Sequence, residues 1–114
     1  MAYIDQQTVT IANGTSLSAE VALGEKTLVG IVMPAGWDAA ALTFQATPDD
    51  TNFSELYTSA GSAVSFTVAA GQFIAVDPTI WRGVTGIKVR SGTSGSPVNQ
   101  TSARALTLIT RTVY

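Results

Sequence analysis

What most constrains this chain is its punctuation. Turn-forming residues interrupt it roughly every eight to twelve positions, and the pieces between them are short and alternating, as in an all-β sandwich or barrel. The clearest piece is Leu42-Thr43-Phe44-Gln45-Ala46. It follows a Pro34-Ala35-Gly36-Trp37 corner and precedes Pro48-Asp49-Asp50-Thr51-Asn52. A period of two places Leu42, Phe44 and Ala46 on one face and Thr43, Gln45 and Thr47 on the other. Asp and Asn side chains bond to their own nearby backbone, so the segment that follows reads as a tight turn.

The same reading extends along the chain. Thr8 to Ile11 alternates and ends at the Asn13-Gly14 turn. Leu17, Ala19, Val21 and Leu23 share a face before Gly24-Glu25-Lys26. Thr27 to Met33 is apolar on both faces, as expected of a central strand, and Pro34 ends it because proline has no amide hydrogen to donate. Asp38 is placed to cap a single helical turn over 38–41. Phe53 to Tyr57, then Val64, Phe66 and Val68, then Gln72 to Val76 supply further short strands, with a break at Ala70-Gly71. In Asp77-Pro78-Thr79-Ile80-Trp81-Arg82-Gly83, Asp77 suits an N-cap, Pro78 the first helical position and Gly83 a C-terminal cap. That predicts one short helical turn near 77–82.

Ile87 and Val89 then point inward, with Lys88 and Arg90 outward. Residues 92–100 form the longest loop, rich in Gly, Ser and Pro and expected to be exposed and mobile. Arg104 to Thr110 is the last strand, with Leu106 and Leu108 inward. The expectation is one all-β domain over residues 1–114: an antiparallel β-sandwich of eight or nine short strands. A jelly roll is the first choice and an immunoglobulin-like sandwich the second.

Composition narrows the function. Only 12% of residues are charged, about half the usual share, while 10 Ser and 16 Thr fill the polar positions. A β-branched hydroxyl residue packs well on a pleated surface. The net charge of −2 and the scattered four Arg and two Lys give no basic stripe of the kind that nucleic-acid binding requires. The longest apolar run, Leu28 to Met33, is far below the ~20 residues of a membrane helix. There is no Cys and no His, which removes disulfides, the commonest general base and the commonest transition-metal ligand. The first residues, MAYIDQQTVTIANG, lack the basic and apolar regions of a signal peptide, so synthesis and folding in a cytoplasm are expected.

Candidate chemistry is sparse. Without His no Ser-His-Asp triad can form, and no G-x-S-x-G elbow occurs. Asp49, Asp50, Glu55 and Asp77 are the carboxylates that a glycosidase pair would draw on, but a turn, a solvated strand residue and an N-cap account for them more simply. Asp49, Asp50 and Asn52 offer oxygen ligands of the type Ca²⁺ takes, at a spacing unlike the EF-hand loop. Trp37 and Trp81 are expected in the core or at a subunit interface. No catalytic, cofactor-binding or metal residue is assigned.

Two stretches resemble a known group. GIVMPAGWDAAALTFQATPDDTNFSELY and IKVRSGTSGSPVNQTSARALTLITR, spread over residues 28–112, look like small proteins encoded by tailed bacteriophages and prophages. In that group a Gly-Trp corner leads into an L-T-F-Q strand, and a Lys-x-Arg-Ser-Gly strand end precedes a Pro-Val-x-Gln loop and a final L-T-L strand. Here those are Gly36-Trp37, Leu42 to Gln45, Lys88 to Gly92, Pro97 to Gln100 and Leu106 to Leu108. The resemblance implies a jelly-roll capsid decoration (cement) protein, carried on the virion and made in the host bacterial cytoplasm. It implies binding to the major capsid protein of the head and to its own copies, with a homotrimer as the expected oligomer, and with no cofactor, nucleic acid or membrane. The expected contact residues are Tyr3, Ile4, Ser94, Pro97, Val98, Asn99, Val113 and Tyr114. The L-T-F-Q strand and Asp-rich turn are also similar to discoidin-like sugar-binding sandwiches, which gives the alternative of a glycan- or receptor-binding module in a tail or fibre. That alternative expects Trp37 or Trp81 exposed beside Asp49, Asp50 or Asn52.

Overall fold

A computed structural model describes residues 4–112. Its strands pair outermost with outermost. β1 (Ile4–Ile11) pairs with β8 (Arg104–Arg111), β2 (Val21–Ala22) with β7 (Gly86–Ser91), β3 (Thr27–Val32) with β6 (Phe73–Ala75), and β4 (Leu42–Thr47) with β5 (Ser54–Glu55), all antiparallel. Two further pairings, β3 with β8 and β4 with β7, complete sheets of order β1-β8-β3-β6 and β2-β7-β4-β5. A long antiparallel hairpin rolled up on itself produces this order, which is the two-sheet, eight-strand jelly roll.

The period-two pattern sets which faces meet. Val9 and Ile11 of β1, Leu106 and Leu108 of β8, and Leu28 and Ile31 of β3 point inward and are buried. Leu28 and Ile31 are three apart, an odd spacing that would separate them on a regular strand. The register slips by one residue between Leu28 and Gly30, and this bulge returns both side chains to the core. Phe44, Ile87 and Val89 face them from the second sheet. At one end of the sandwich Trp81 and Phe44 meet edge to face, ring centroids 4.9 Å apart and planes at 90°, and Phe66 packs on Phe44 at 5.2 Å. Both tryptophans are buried, Trp81 completely.

The 3-10 turn lies at Pro78–Trp81, with the Asp77 carboxylate accepting the Thr79 amide at 3.0 Å. Gly83 does not cap it in a left-handed conformation. Arg82 is the C-cap with an ordinary right-handed φ of −66°, and the Val84 amide closes onto the Trp81 carbonyl. The predicted helical turn over 38–41 is absent, because the Asp38 carboxylate serves a different partner, described below. The expected strand over Leu17–Leu23 is reduced to Val21–Ala22 plus a single bridge from Leu17 to Arg90, and it is Ser18, not Ala19, that is buried. Residues 64–68 keep their alternation, Val64 buried and Phe66 half-buried, but contribute only a bridge from Phe66 to Leu42 and a hydrogen bond from the Val64 amide to the Leu56 carbonyl.

Candidate functional site

Three of the resemblance motifs, Gly36-Trp37, Lys88 to Gly92 and Pro97 to Gln100, meet at one corner. Gln100 is fully buried and spends every hydrogen-bonding valence there. Its Oε1 accepts the Asp38 amide at 2.9 Å and Arg104 Nε at 3.2 Å; its Nε2 donates to the Asp38 carbonyl at 3.2 Å and to Ser91 Oγ at 2.7 Å. Its backbone joins the same corner to the end of β1, with the Gly14 amide donating to the Gln100 carbonyl and the Gln100 amide donating to the Thr15 carbonyl. Asp38 Oδ2 accepts from the Thr101 amide (2.6 Å) and hydroxyl (2.9 Å), and Oδ1 accepts from Arg104 Nη2 at 3.3 Å. These bonds hold the Asp38 carboxyl below its ordinary range, the Thr101 amide contributing most. Arg104 lies flat against Gly36, where a Cβ would meet Nη1 at 2.5 Å. The Gly-Trp corner, the Val-Asn-Gln loop end and the start of β8 are therefore one structural joint.

The loop between β7 and β8 is tightly built. Gly92 has φ +89°, and a Cβ there would lie 2.5 Å from the Ser96 carbonyl oxygen. Gly92 bridges to Pro97, and Thr93 and Ser96 exchange backbone hydrogen bonds. Ser94, Pro97 and Asn99 are exposed and Val98 is half-buried.

The second sheet's outer face is polar and internally matched. Arg90 is outward, as expected, and yet only 6% exposed. Its two terminal nitrogens each lie 2.6 Å from an oxygen of Glu55, a bidentate pair. Gln45 Nε2 donates to the same carboxylate at 3.0 Å. Arg90 holds the Glu55 carboxyl below its ordinary value against a smaller opposing effect of burial, and Glu55 raises the Arg90 guanidinium in return. Lys88 lies over the Phe53 ring, 4.6 Å from its centroid.

The remaining carboxylates are occupied by turn geometry. Asp49 accepts the Thr47 hydroxyl and the Thr51 and Asn52 amides at Oδ1, and Asn52 Nδ2 at Oδ2, which drives its carboxyl far below the ordinary range. Asp50 accepts the Thr85 hydroxyl at 3.0 Å from a left-handed backbone, φ 63°. Asp49, Asp50, Glu55 and Asp77 are thus each engaged with their own neighbours. No group of three or more metal-ligating side chains occurs among the described residues. Two open clefts of about 340 Å³ each flank the exposed Tyr57, one lined by Ala46, Pro48, Leu56 and Val84, the other by Thr58, Ser59, Thr79 and Ile80.

The described members of the expected contact set, Ile4 and Ser94, Pro97, Val98 and Asn99, lie at two places on the molecule. Tyr3, Val113 and Tyr114 lie outside the described residues. Ile4 is 65% exposed and opposes Arg111, at the far end of the β1–β8 pair from the 92–100 loop. Eight residues of strand put roughly 27 Å between the two ends. Between them lies a surface that sequence reading did not single out, the outer face of the β1-β8-β3-β6 sheet. The registers align Gln6, Ile109, Gly30 and Ala75 in one row and Thr8, Thr107, Val32 and Phe73 in the next. Phe73 is 64% exposed and lies across Gly30. Arg111, opposite Ile4, is the only charged residue among the outward positions of these paired rows. The alternation was legible strand by strand, but the assembled face depends on which strands are neighbours.

Compared with family models, curated proteins and solved structures, this chain matches none.

Proposed function

We propose that this chain is a structural component of a tailed-phage virion, a capsid decoration (cement) protein that binds the major capsid protein and its own copies and performs no catalysis. It is made in the host cytoplasm and works on the capsid surface, without cofactor, nucleic acid or membrane. The observation that carries the reading is the outer face of the β1-β8-β3-β6 sheet. A solvated sheet face normally alternates toward charge, whereas this one presents Phe73, Val32, Ile109 and Ile4 among threonines and a single arginine. Exposed apolar area framed by hydroxyls is the composition of a protein contact face. The engagement of each candidate carboxylate in a turn, a cap or the Arg90 pair supports a structural role over catalysis. The sequence resemblance supplies the virion context. Weak contacts repeated over a head gain strength by avidity.

The test is co-sedimentation of the purified chain with phage heads stripped of it. Saturable binding that falls at least tenfold on Phe73→Lys, in a variant that still unfolds cooperatively, supports the reading. No binding, or binding indifferent to Phe73, overturns it.

The second reading, a glycan- or receptor-binding module, rests on Tyr57. With Trp37 and Trp81 buried, it is the exposed aromatic that stands between two clefts. Sugar-dependent quenching lost in Tyr57→Leu would favour that reading.

A further inference from the structure

Three of the four sheet edges are blunt. β2 and β5 have two paired residues each and β6 has three. The fourth edge, β1, runs for eight residues, IDQQTVTI. Its register to β8 is unbroken, and it contains no proline, no lysine and no bulge. Folded proteins ordinarily blunt a long free edge with one of those devices.

The pairing pattern shows which β1 groups are free. The Met33 amide donates to the Gln72 carbonyl, so in β3 the backbone groups of Met33 and Ile31 point toward β6. Alternation then turns Gly30 and Val32 toward β8, where they oppose Ile109 and Thr107. Leu106, Leu108 and Thr110 must therefore turn toward β1, where they oppose Val9, Gln7 and Asp5. This leaves the amides and carbonyls of Ile4, Gln6, Thr8 and Thr10 aimed away from the sheet. Their one partner among the described residues is the Asp5 carboxylate, which accepts the Gln6 amide at 2.9 Å and also Lys26 Nζ at 2.7 Å.

We infer that β1 is a self-association edge, at which β1 of a second copy adds antiparallel about a two-fold axis to make one continuous eight-stranded sheet. Identical strands pair antiparallel only about a two-fold. A threefold ring would have to match β1 to a different edge, and the others are too short to satisfy it. The register that uses all four free residues places Gln7 opposite Gln7 of the other copy, Gln6 opposite Thr8, and Ile4 opposite Thr10. It exchanges eight backbone hydrogen bonds and brings no two like charges face to face. The Gln6 amide must leave the Asp5 carboxylate or be shared with it. An edge about 27 Å long and about 10 Å deep covers roughly 270 Å² per copy, a third of the ~800 Å² typical of a stable complex. The isolated chain therefore dimerises in a concentration-dependent way. This inference deepens the self-association part of the proposed function and does not depend on the capsid.

The test is sedimentation equilibrium of the full chain from micromolar to millimolar concentration, with two kinds of variant. Thr8→Pro removes an outward amide and spares the β8 ladder. Its dimer should weaken at least tenfold while its unfolding stays cooperative. Gln6→Lys with Thr8→Lys sets like charges opposite each other and should act similarly. Gln7→Cys introduces the only thiol of the chain at a position where non-hydrogen-bonded partners sit about 4.5 Å apart, within disulfide reach. It should oxidise to a covalent dimer faster than Gln6→Cys or Thr8→Cys. A monomer at every concentration, a dimer untouched by either edge variant, or faster cross-linking at 6 or 8 would overturn the inference. Head binding that survives Thr8→Pro would separate its failure from failure of the capsid reading.

Discussion

Replacing Gln100 by leucine isolates the buried joint. The two side chains are close in size, so the substitution removes hydrogen bonds more than volume. Four bonds disappear, and their partners are the Asp38 amide and carbonyl, Ser91 Oγ and Arg104 Nε. Arg104 keeps Asp38, and Asp38 is only half-buried, so water recovers part of the loss there. Ser91 is fully buried and loses its side-chain partner outright. An orphaned buried group costs about 1–3 kcal/mol and a net hydrogen bond about 1 kcal/mol. One orphan plus two partly rehydrated groups gives about 3 kcal/mol. At about 4 °C per kcal/mol for a domain of this length, the melting temperature should fall by about 12 °C. Urea unfolding monitored by tryptophan fluorescence measures the change, with an unchanged m-value expected. A loss below about 1 kcal/mol would refute the reasoning, since it would mean that the four bonds contribute little beyond what water supplies.

Glu55→Gln should cost about 2 kcal/mol, because it leaves Arg90 buried without a charged partner, and adding Arg90→Leu should recover part of that loss in a double-mutant cycle. Gly92→Ala should destabilise by more than about 2 kcal/mol, from a left-handed φ and a clash with the Ser96 carbonyl, read by thermal melting. Glu55, Asp38 and Asp49 all have carboxyls held lower in the folded chain than in the unfolded one. Their contribution is therefore complete above the ordinary carboxylate range and is lost as pH falls through the depressed folded values. Stability should be flat from pH 7 to about pH 5 and decline below about pH 4, and a decline that begins above pH 6 would contradict these assignments.

How legible the fold was depends on the range of the interaction. The strands around Phe44, Leu106 and Val9 and the turns at Asp49 and Asp77-Pro78 are local, and residues two or three apart specify them. Val64, Phe66 and Val68 show the limit of periodicity. The side chains turn inward as the pattern requires, yet the backbone makes only isolated contacts, Val64 with Leu56 and Phe66 with Leu42, and no continuous ladder. Arg90 reads only as an outward strand residue, and its burial follows from Glu55, thirty-five positions away, being brought beside it. Asp38 reads as a helix cap because its true partners, Gln100, Thr101 and Arg104, lie more than sixty positions downstream. Gln100 was legible as the last residue of the Pro-Val-x-Gln motif, but nothing in the sequence marked it as buried, since a glutamine at the end of a polar loop is ordinarily exposed. The outer sheet face and the free β1 edge likewise come from strand order, which periodicity does not encode.

The most direct test of the proposed capsid role is immunogold labelling of phage particles from a lysate in which this chain is produced, with antibody raised against the purified protein. Decoration of the capsid predicts gold spread evenly over the head. Label confined to the tail tip, or absence from the particle, would contradict it.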